Sequence, residues 1–386
     1  MQPVYEIATI LNRHWDNANV QLKLNSWQWR TLHAIRRCRT AALGGHVDQC
    51  DHCSHLHISY NSCRNRHCPK CQGQQREAWM EARKEDILPV PYFHVVFTVP
   101  DAINKICLYQ PATIYNILFN TAWSTMQTFA ADEKYLGAQT GMISILHTWG
   151  KTLSLHPHLH CVIPGGGITK AGHWKNTRND GHFLFPVKAL SLVFRARFVS
   201  ALRKAFPDLS KEFYNNLFKT NWVVYAKRPF GGPLQVIEYL SRYTHKIAIS
   251  NHRITNIGID TVSFGYKDYR QAGNKKEMTL DALEFIRRFA MHVLPKGFVR
   301  IRHYGILSSK LKQTALATIR TQLQPGLNQV NDGGPTPTQT VTTHTCPCCK
   351  KGLMQTILHF DYRGPPLFIL KQLERMENTK TLKSAV

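Results

Sequence analysis

LSLHPHLHCVIPGGG, residues 153–167, carries His156, His158 and His160 at alternate positions, followed by Cys161 and three glycines. Alternation is the period of a β-strand, whose successive side chains leave opposite faces. On such a strand His158 and His160 share one face about 6.6 Å apart, while Leu159 enters the opposite layer. Two imidazoles at that spacing can converge on one cation. His156 has the same parity, but roughly 13 Å of extended chain separates it from His160, so it joins the pair only if Pro157 bends the strand. Cys161 points away from His160 and reads as packing, and Gly165, Gly166 and Gly167 read as a turn.

A strand of this kind needs partners, and the chain supplies them. Strand-like runs occur at YFHVVFTV (92–99), GMISILHT (141–148), LHCVIPG (159–165), NWVVYA (221–226) and TVSFGY (261–266). Helical periodicity fills the intervals near 110–130, 187–206, 233–243 and 279–292. The interleaving predicts one α+β or α/β domain whose strands contribute to a single sheet. Ahead of it, residues 1–87 form a separate module dense in Cys, His, Arg and Trp. The domain spans 88–310, and 311–386 holds a basic helix, a Pro-, Gly- and Thr-rich linker and a small cysteine cluster, CPCC (346–349).

Composition narrows the partners. Among 386 residues, 49 Lys and Arg face 24 Asp and Glu, a net charge of +25. Such an excess draws polyanions, nucleic acid first among them. No apolar run approaches the roughly 18 residues of a spanning helix, and the opening MQPVYEIATILNRHWDN lacks the apolar core of a signal peptide. The expectation is a soluble cytoplasmic protein with no membrane partner. In such a reducing compartment eleven cysteines, most of them in tight clusters, point to metal rather than disulfides.

The leading cluster pairs Cys50-x2-Cys53 with Cys68-x2-Cys71 across fourteen residues. Two such knuckles can present four thiolates to one tetrahedral Zn²⁺. Four thiolates leave no open position, so the role is structural. Cys63 and His67 are candidate ligands of a second zinc, with His46, His52, His55 and His57 nearby. CPCC is a half-site whose completion falls to His344 or His359, if it is a site at all. The stretches WQWRTLHAIRRCR (27–39) and RNRH (64–67) mix guanidinium groups with aromatic rings, a combination suited to phosphate pairing and base stacking. Arg36, Arg37, Arg64 and Arg66 are therefore candidate DNA contacts, joined by Arg242 further on.

GGPLQVIEYLSRYTHK (231–246) opens with a helix-start signal. At 100° per residue, Leu234, Val236, Ile237 and Leu240 fall on one side. Gln235, Glu238, Tyr239, Arg242 and Tyr243 fall on the other. Tyr239 and Tyr243 are thus neighbours one turn apart on the polar face. A phenol has a pKa near 10 and needs a base, nearby positive charge or a metal-polarised electrophile before it attacks. No nucleotide-binding GxxxxGK[ST] and no H-E-x-x-H hydrolase motif accompanies these residues.

In order and content, YNSCRNRHCPKCQ (60–72), HPHLHCVIPGGG (156–167), YLSRYTHKIAISN (239–251) and VLPKGFVRIRHYG (293–305) resemble the IS91-type transposases, within the HUH (His-hydrophobic-His) single-strand endonucleases. The resemblance covers roughly residues 10–310. It implies an α+β fold, a central antiparallel sheet flanked by helices, with an N-terminal zinc-binding module. It implies rolling-circle-like transposition in which His158 and His160 bind Mg²⁺ or Mn²⁺ and Tyr239 or Tyr243 attacks single-stranded DNA, leaving a 5′-phosphotyrosine. The third metal ligand falls among Gln235, Glu238, His147 and His156, the tyrosine helix being favoured. Implied partners are hairpin-containing element ends, a target strand and host replication proteins, at the bacterial nucleoid. A replication initiator or relaxase would use the same chemistry, and a noncatalytic zinc-dependent DNA-binding protein would use none of it.

Overall fold

A computed structural model of the chain describes residues 3–72, 77, 80–81, 86–227, 235–236, 246–268, 273–323 and 344–383. Three helices open it, α1 (Ile7–Arg13), α2 (Trp15–Gln21) and α3 (Ser26–Arg36), followed by strands β1 (Gly45–Cys50) and β2 (Leu56–Tyr60). Then come β3 (Tyr92–Thr98), α4 (Asn104–Tyr109), α5 (Pro111–Ala131), β4 (Gly141–Trp149), β5 (Leu155–Pro164), β6 (Gly166–Ile168) and β7 (Trp174–Asn176). They are followed by α6 (Val187–Ala205), α7 (Lys211–Lys219), β8 (Val224–Lys227), β9 (Ile254–Ile257), β10 (Thr261–Asp268) and β11 (Asn274–Asp281). Last are α8 (Ala282–Met291), β12 (Ile301–Gly305), α9 (Lys312–Leu323), β13 (Met354–Phe360) and α10 (Leu367–Lys383).

The central sheet runs β12-β4-β5-β3-β8, antiparallel at every junction. Its two faces divide the labour. Phe93, Val95, Phe97, Met142, Leu146, Leu159 and Ile163 point to one side and share a core with Phe119 of α5 and with Phe194 and Phe198 of α6. Cys161 lies in this layer, buried beside Ser144 with Oγ and Sγ 3.3 Å apart, as packing. The opposite face carries His147, His158 and His160. Further along it, Ile143, Ile145 and Val162 pack with Leu316 and Ile319 of α9 and with Val236. The strand is therefore wholly buried on its leucine face and half-buried at His158 and His160, which fixes its register: a one-residue slip would drive the imidazoles into the helical core.

Two expectations need correction. The strands do not form a single sheet: β9, β10 and β11 make a separate meander. It has its own core, because Val262, Phe264, Phe285 and Phe289 bury against Ile7, Ile10, Leu32 and Ile35 of the N-terminal helices. Nor are the glycines after β5 only a turn. Gly165 turns, but Gly166 and Gly167 enter β6 and pair with β7. A Cβ on Gly166 would stand 2.4 Å from the Trp174 ring and one on Gly167 2.6 Å from the Gln139 carbonyl, so close approach demands glycine.

The third sheet, β13-β1-β2, is built from both ends of the chain. Val47, Leu56 and Ile369 of α10 form its small core, with Ile58, Leu358 and Phe360 against it.

Leu159 is wholly buried between the two histidines on the helix side. Leu159→Ala should cost about 2–5 kcal/mol, read as a lower urea midpoint with unchanged slope; an unaltered midpoint would show that this face of the strand is not the one packed.

Candidate metal centre and nucleic-acid interface

In the β4–β5 register His147 stands directly opposite His158, and Ile145 opposite His160. One ring nitrogen from each of His147, His158 and His160 lies within 4.8 Å of the others. Of the four residues proposed for the third position, the structure brings His147 to the pair. His156 turns aside toward Asp101, Nδ1 to Oδ1 3.8 Å. Gln235 is exposed, and Glu238 lies outside the described residues, as do Tyr239, Arg242 and Tyr243.

Surrounding groups set the tautomers. His158 Nδ1–H donates to the His156 carbonyl at 2.7 Å, which leaves Nε2 with its lone pair. His160 Nδ1 lies 2.8 Å from His94 Nε2 on β3. With His160 as donor there, its Nε2 is bare too, and the two Nε2 atoms face each other at 3.2 Å. Two lone pairs so placed suit a shared cation: donors about 2.1 Å from an ion and at right angles are about 3.0 Å apart. The His147 ring stacks on Trp149 with centroids 4.7 Å apart, which fixes its aim. Burial, reinforced by neighbouring histidines and Lys246, lowers the His158 pKa to about 4 and holds His160 lower still. Both are neutral bases at pH 7 and so competent as ligands.

Cations border this face. Arg300 is buried; its Nε donates to the Leu146 carbonyl at 3.1 Å, a terminal NH₂ donates to the Lys246 carbonyl at 2.6 Å, and its guanidinium lies 5.3 Å from the Trp149 ring centroid. Burial, with Arg66 nearby, lowers its pKa to about 9, so it remains charged at neutral pH. His94 and Arg300 were not foreseen. The parity of His94 in YFHVVFTV matches the histidine face, a legible signal; nothing in the sequence singles out Arg300.

The cysteines are regrouped relative to the expected site. Cys68 and Cys71 join Cys38 and Cys63, while Cys50 and Cys53 lie with Cys346 and Cys349. The physical reason is that Cys50 and Cys53 sit at the β1–β2 end of the terminal sheet, where the β13 hairpin arrives. In the first group Cys71 Sγ lies 3.5 Å from Cys38 Sγ and 3.7 Å from Cys63 Sγ. Thiolates about 2.3 Å from a tetrahedral zinc stand about 3.8 Å apart, so this group fits Zn²⁺. Cys38 escaped notice because it stands alone at the end of α3, 25 residues before Cys63. His67 stands outside both cysteine groups: it is half-buried, desolvation and neighbouring Arg66 lower its pKa to about 3, and its Nε2 accepts from the Leu294 N–H at 3.3 Å.

The candidate DNA contacts also divide. Arg66 is a strut, donating to the carbonyls of Phe298 at 2.6 Å and Pro295 at 3.2 Å. Arg37 donates to the Ala42 carbonyl at 2.6 Å; Arg36 bonds Asn12 at 2.7 Å and lies over Trp15. Arg64 stays exposed and, with Arg39, His46, His57, Tyr60 and Asn61, lines an open groove of about 770 Å³ on the terminal sheet.

Comparison with known proteins places the chain. A family model described as "Transposase zinc-binding domain" matches residues 10–99, and one described as "Putative transposase" matches residues 141–315. The curated "Putative transposase y4qJ" of Sinorhizobium fredii (strain NBRC 101917 / NGR234) is 42% identical over 394 residues, covering 94% of this chain and 97% of its own length. The chain belongs to the IS91-type transposases. The "Transposase for insertion sequence element IS801" of Pseudomonas savastanoi pv. phaseolicola is 26% identical over 322 residues, 78% of this chain and 75% of that one. No solved structure matches. In this IS91-type transposase the first matched segment contains all four cysteines of the zinc group, and the second contains the three clustered histidines and Arg300. Among the described residues no helix is long and apolar enough to cross a membrane.

Behind the centre, His292 is buried with Nε2 3.2 Å from the Leu153 carbonyl and Nδ1 3.2 Å from Thr148 Oγ1. Nε2–H donates to the Leu153 carbonyl, and burial lowers the ring's pKa to about 4. A histidine whose folded pKa lies below its unfolded value of about 6.5 supports the fold fully above that value and loses its support as pH falls toward 4. The transposase should therefore weaken between pH 6.5 and 5 by up to ~1.4 kcal/mol per pH unit from His292 alone. Urea unfolding across this window should show that His292→Gln flattens the slope by up to one proton; equal slopes would place the ring in contact with water.

Proposed function

We propose that this IS91-type transposase cleaves and rejoins single-stranded DNA at element ends through a tyrosyl intermediate, with His147, His158 and His160 holding a divalent ion. The convergence of three imidazoles on one face of an otherwise apolar sheet carries this reading. A bound Mg²⁺ or Mn²⁺ would supply polarisation of the scissile phosphate. His94 orients His160, Trp149 orients His147, and Arg300 with Lys246 gives the face the positive charge that a phosphodiester requires. A histidine pair on a strand flanked by antiparallel neighbours supports the reading as an HUH-type nuclease.

Tyr239 and Tyr243 are the nucleophiles in this reading. Val236 supports it, since it is buried in the same apolar cluster as Ile143, Ile145 and Val162, the residues next to the histidines on their own face. Tyr239 follows Val236 by three residues of chain, which span at most about 11 Å. Attack by a tyrosine Oη on phosphorus forms the 5′-phosphotyrosine bond and breaks the P–O3′ bond; the departing 3′ oxygen takes a proton and becomes a free hydroxyl. Because the covalent link conserves the energy of the broken phosphodiester, attack by a 3′-hydroxyl reverses the step with no nucleotide cofactor. A second tyrosine lets one end be held while another strand is cut. The partners are then single-stranded element ends and a target strand, at the nucleoid. Arg64 and the groove around it offer a place for the backbone of an element end.

Incubation of the protein with single-stranded element-end DNA and Mn²⁺ should give a covalent protein–DNA adduct on denaturing gels. Tyr239→Phe with Tyr243→Phe should abolish it, and omission of divalent metal should do the same. An adduct that survives the double substitution sinks the tyrosine mechanism, and no adduct from the parent protein favours a noncatalytic DNA-binding protein.

His94→Ala, which removes only the group orienting His160, should lower metal affinity or the cleavage rate about 10–100-fold. Titration with Mn²⁺ alongside single-turnover cleavage checks this; parent-like values in both would leave His94 as mere filling.

A further inference from the structure

We infer that the chain holds a second, structural zinc ion shared between its two ends, bound by Cys50 and Cys53 of the N-terminal module and by Cys346 and Cys349 of the C-terminal segment. The residues lie 293 and 299 positions apart along the chain in the pairs Cys53–Cys346 and Cys50–Cys349, yet in each pair the Sγ atoms are 3.7 Å apart. That is close to the edge of a zinc–tetrathiolate tetrahedron, about 3.8 Å, and far beyond the ~2.05 Å of a disulfide. All four Sγ atoms lie within 4.8 Å of one another. The matched zinc-binding segment ends at residue 99, so half of this ligand set lies outside it.

The backbone around the sulfurs has the form of two matching knuckles. Cys50–Cys53 closes with the Ser54 N–H donating to the Cys50 carbonyl at 3.0 Å, and Cys346–Cys349 with the Lys350 N–H donating to the Cys346 carbonyl at 3.1 Å. Ser54 and Lys350 have φ of 56° and 59°, left-handed values uncommon for residues with a side chain. In the first zinc group Arg39 and Arg64, which follow Cys38 and Cys63, have φ of 56° and 50°. The same device thus recurs at both sites. Backbone N–H groups also point at the sulfurs: His52 and Cys53 donate to Cys50 Sγ at 3.4 and 3.5 Å, Cys348 to Cys346 Sγ at 3.3 Å and Gly352 to Cys349 Sγ at 3.4 Å. Such donors stabilise thiolate rather than thiol.

The halves are also cut to fit each other. A Cβ on Gly352 would stand 2.5 Å from Cys50 Sγ and 2.5 Å from Asp51 Oδ1. Asp51 binds the arriving hairpin twice, accepting from the Leu353 N–H at 2.9 Å and donating its own N–H to the Leu353 carbonyl at 3.2 Å. The β1–β13 ladder, Cys50 opposite Met354 through Gly45 opposite Phe360, then continues the join. Cys348 is exposed and stands outside the group, as do His344 and His359.

Zinc content of the purified, reduced full-length protein, measured by mass spectrometry of the metal together with thiol titration, tests this directly. The parent should carry two zinc ions per chain, and Cys346→Ser with Cys349→Ser should carry one while keeping its circular dichroism. Cys50→Ser with Cys53→Ser should likewise carry one. Cobalt substitution should give the parent twice the tetrathiolate absorption of either variant. Gly352→Val, which keeps every cysteine, should lose one of the two ions to a chelator much faster than the parent does. A parent with a single zinc, a C-terminal double variant that retains two, or a Cys50–Cys349 or Cys53–Cys346 disulfide in the isolated protein would overturn the proposal.

Discussion

Everything at the candidate centre depends on the pairing of β4 with β5. That ladder sets His147 across from His158 and puts Leu146 and Leu159 on the other side, so one register satisfies a histidine face and an apolar face at once. One face is buried beneath α5 and α6; the other is covered by α9 and Val236 at Ile143, Ile145 and Val162 and half-open at His158 and His160, so a register that exchanged imidazole for leucine would bury the first and bare the second. Packing on this face also lowers the pKa of His158 and His160 and keeps both unprotonated. Packing and ligand chemistry are two results of one constraint.

The N-terminal module is wired to the centre through backbone carbonyls. Trp27 and Arg66 donate to Leu294, Pro295 and Phe298, and Gln28 donates to Ala290. Two residues beyond Phe298 comes Arg300, which braces Leu146 and Lys246. The zinc module and the histidine face therefore meet on one short segment, 290–300.

Local pattern carried much of this into the sequence. Period-two runs located β3, β4 and β10 within a residue or two, because these strands have strongly apolar faces. Strand β11, NKKEMTLD, was invisible because its exposed positions alternate around few apolar residues, and β12 because it is short and rich in Arg and His. His158 and His160 were legible from strand geometry, whereas the choice of His147 over Gln235 or Glu238 required the cross-strand register, which no single segment contains. Cysteine spacing failed for a similar reason. Cys50-x2-Cys53 and Cys68-x2-Cys71 look like two halves of one site by distance along the chain, but a β-hairpin carries the first pair away and a strand from the far terminus meets it.

That far strand changes what it means to shorten this protein. β13 covers one side of β1, with β2 on the other, and α10 caps Val47 and Leu56. A chain ending within residues 324–343 would not merely lose an appendage. It would leave β1 with a row of unpaired N–H and C=O groups beside uncovered valine and leucine, the kind of open edge through which strands of separate molecules join.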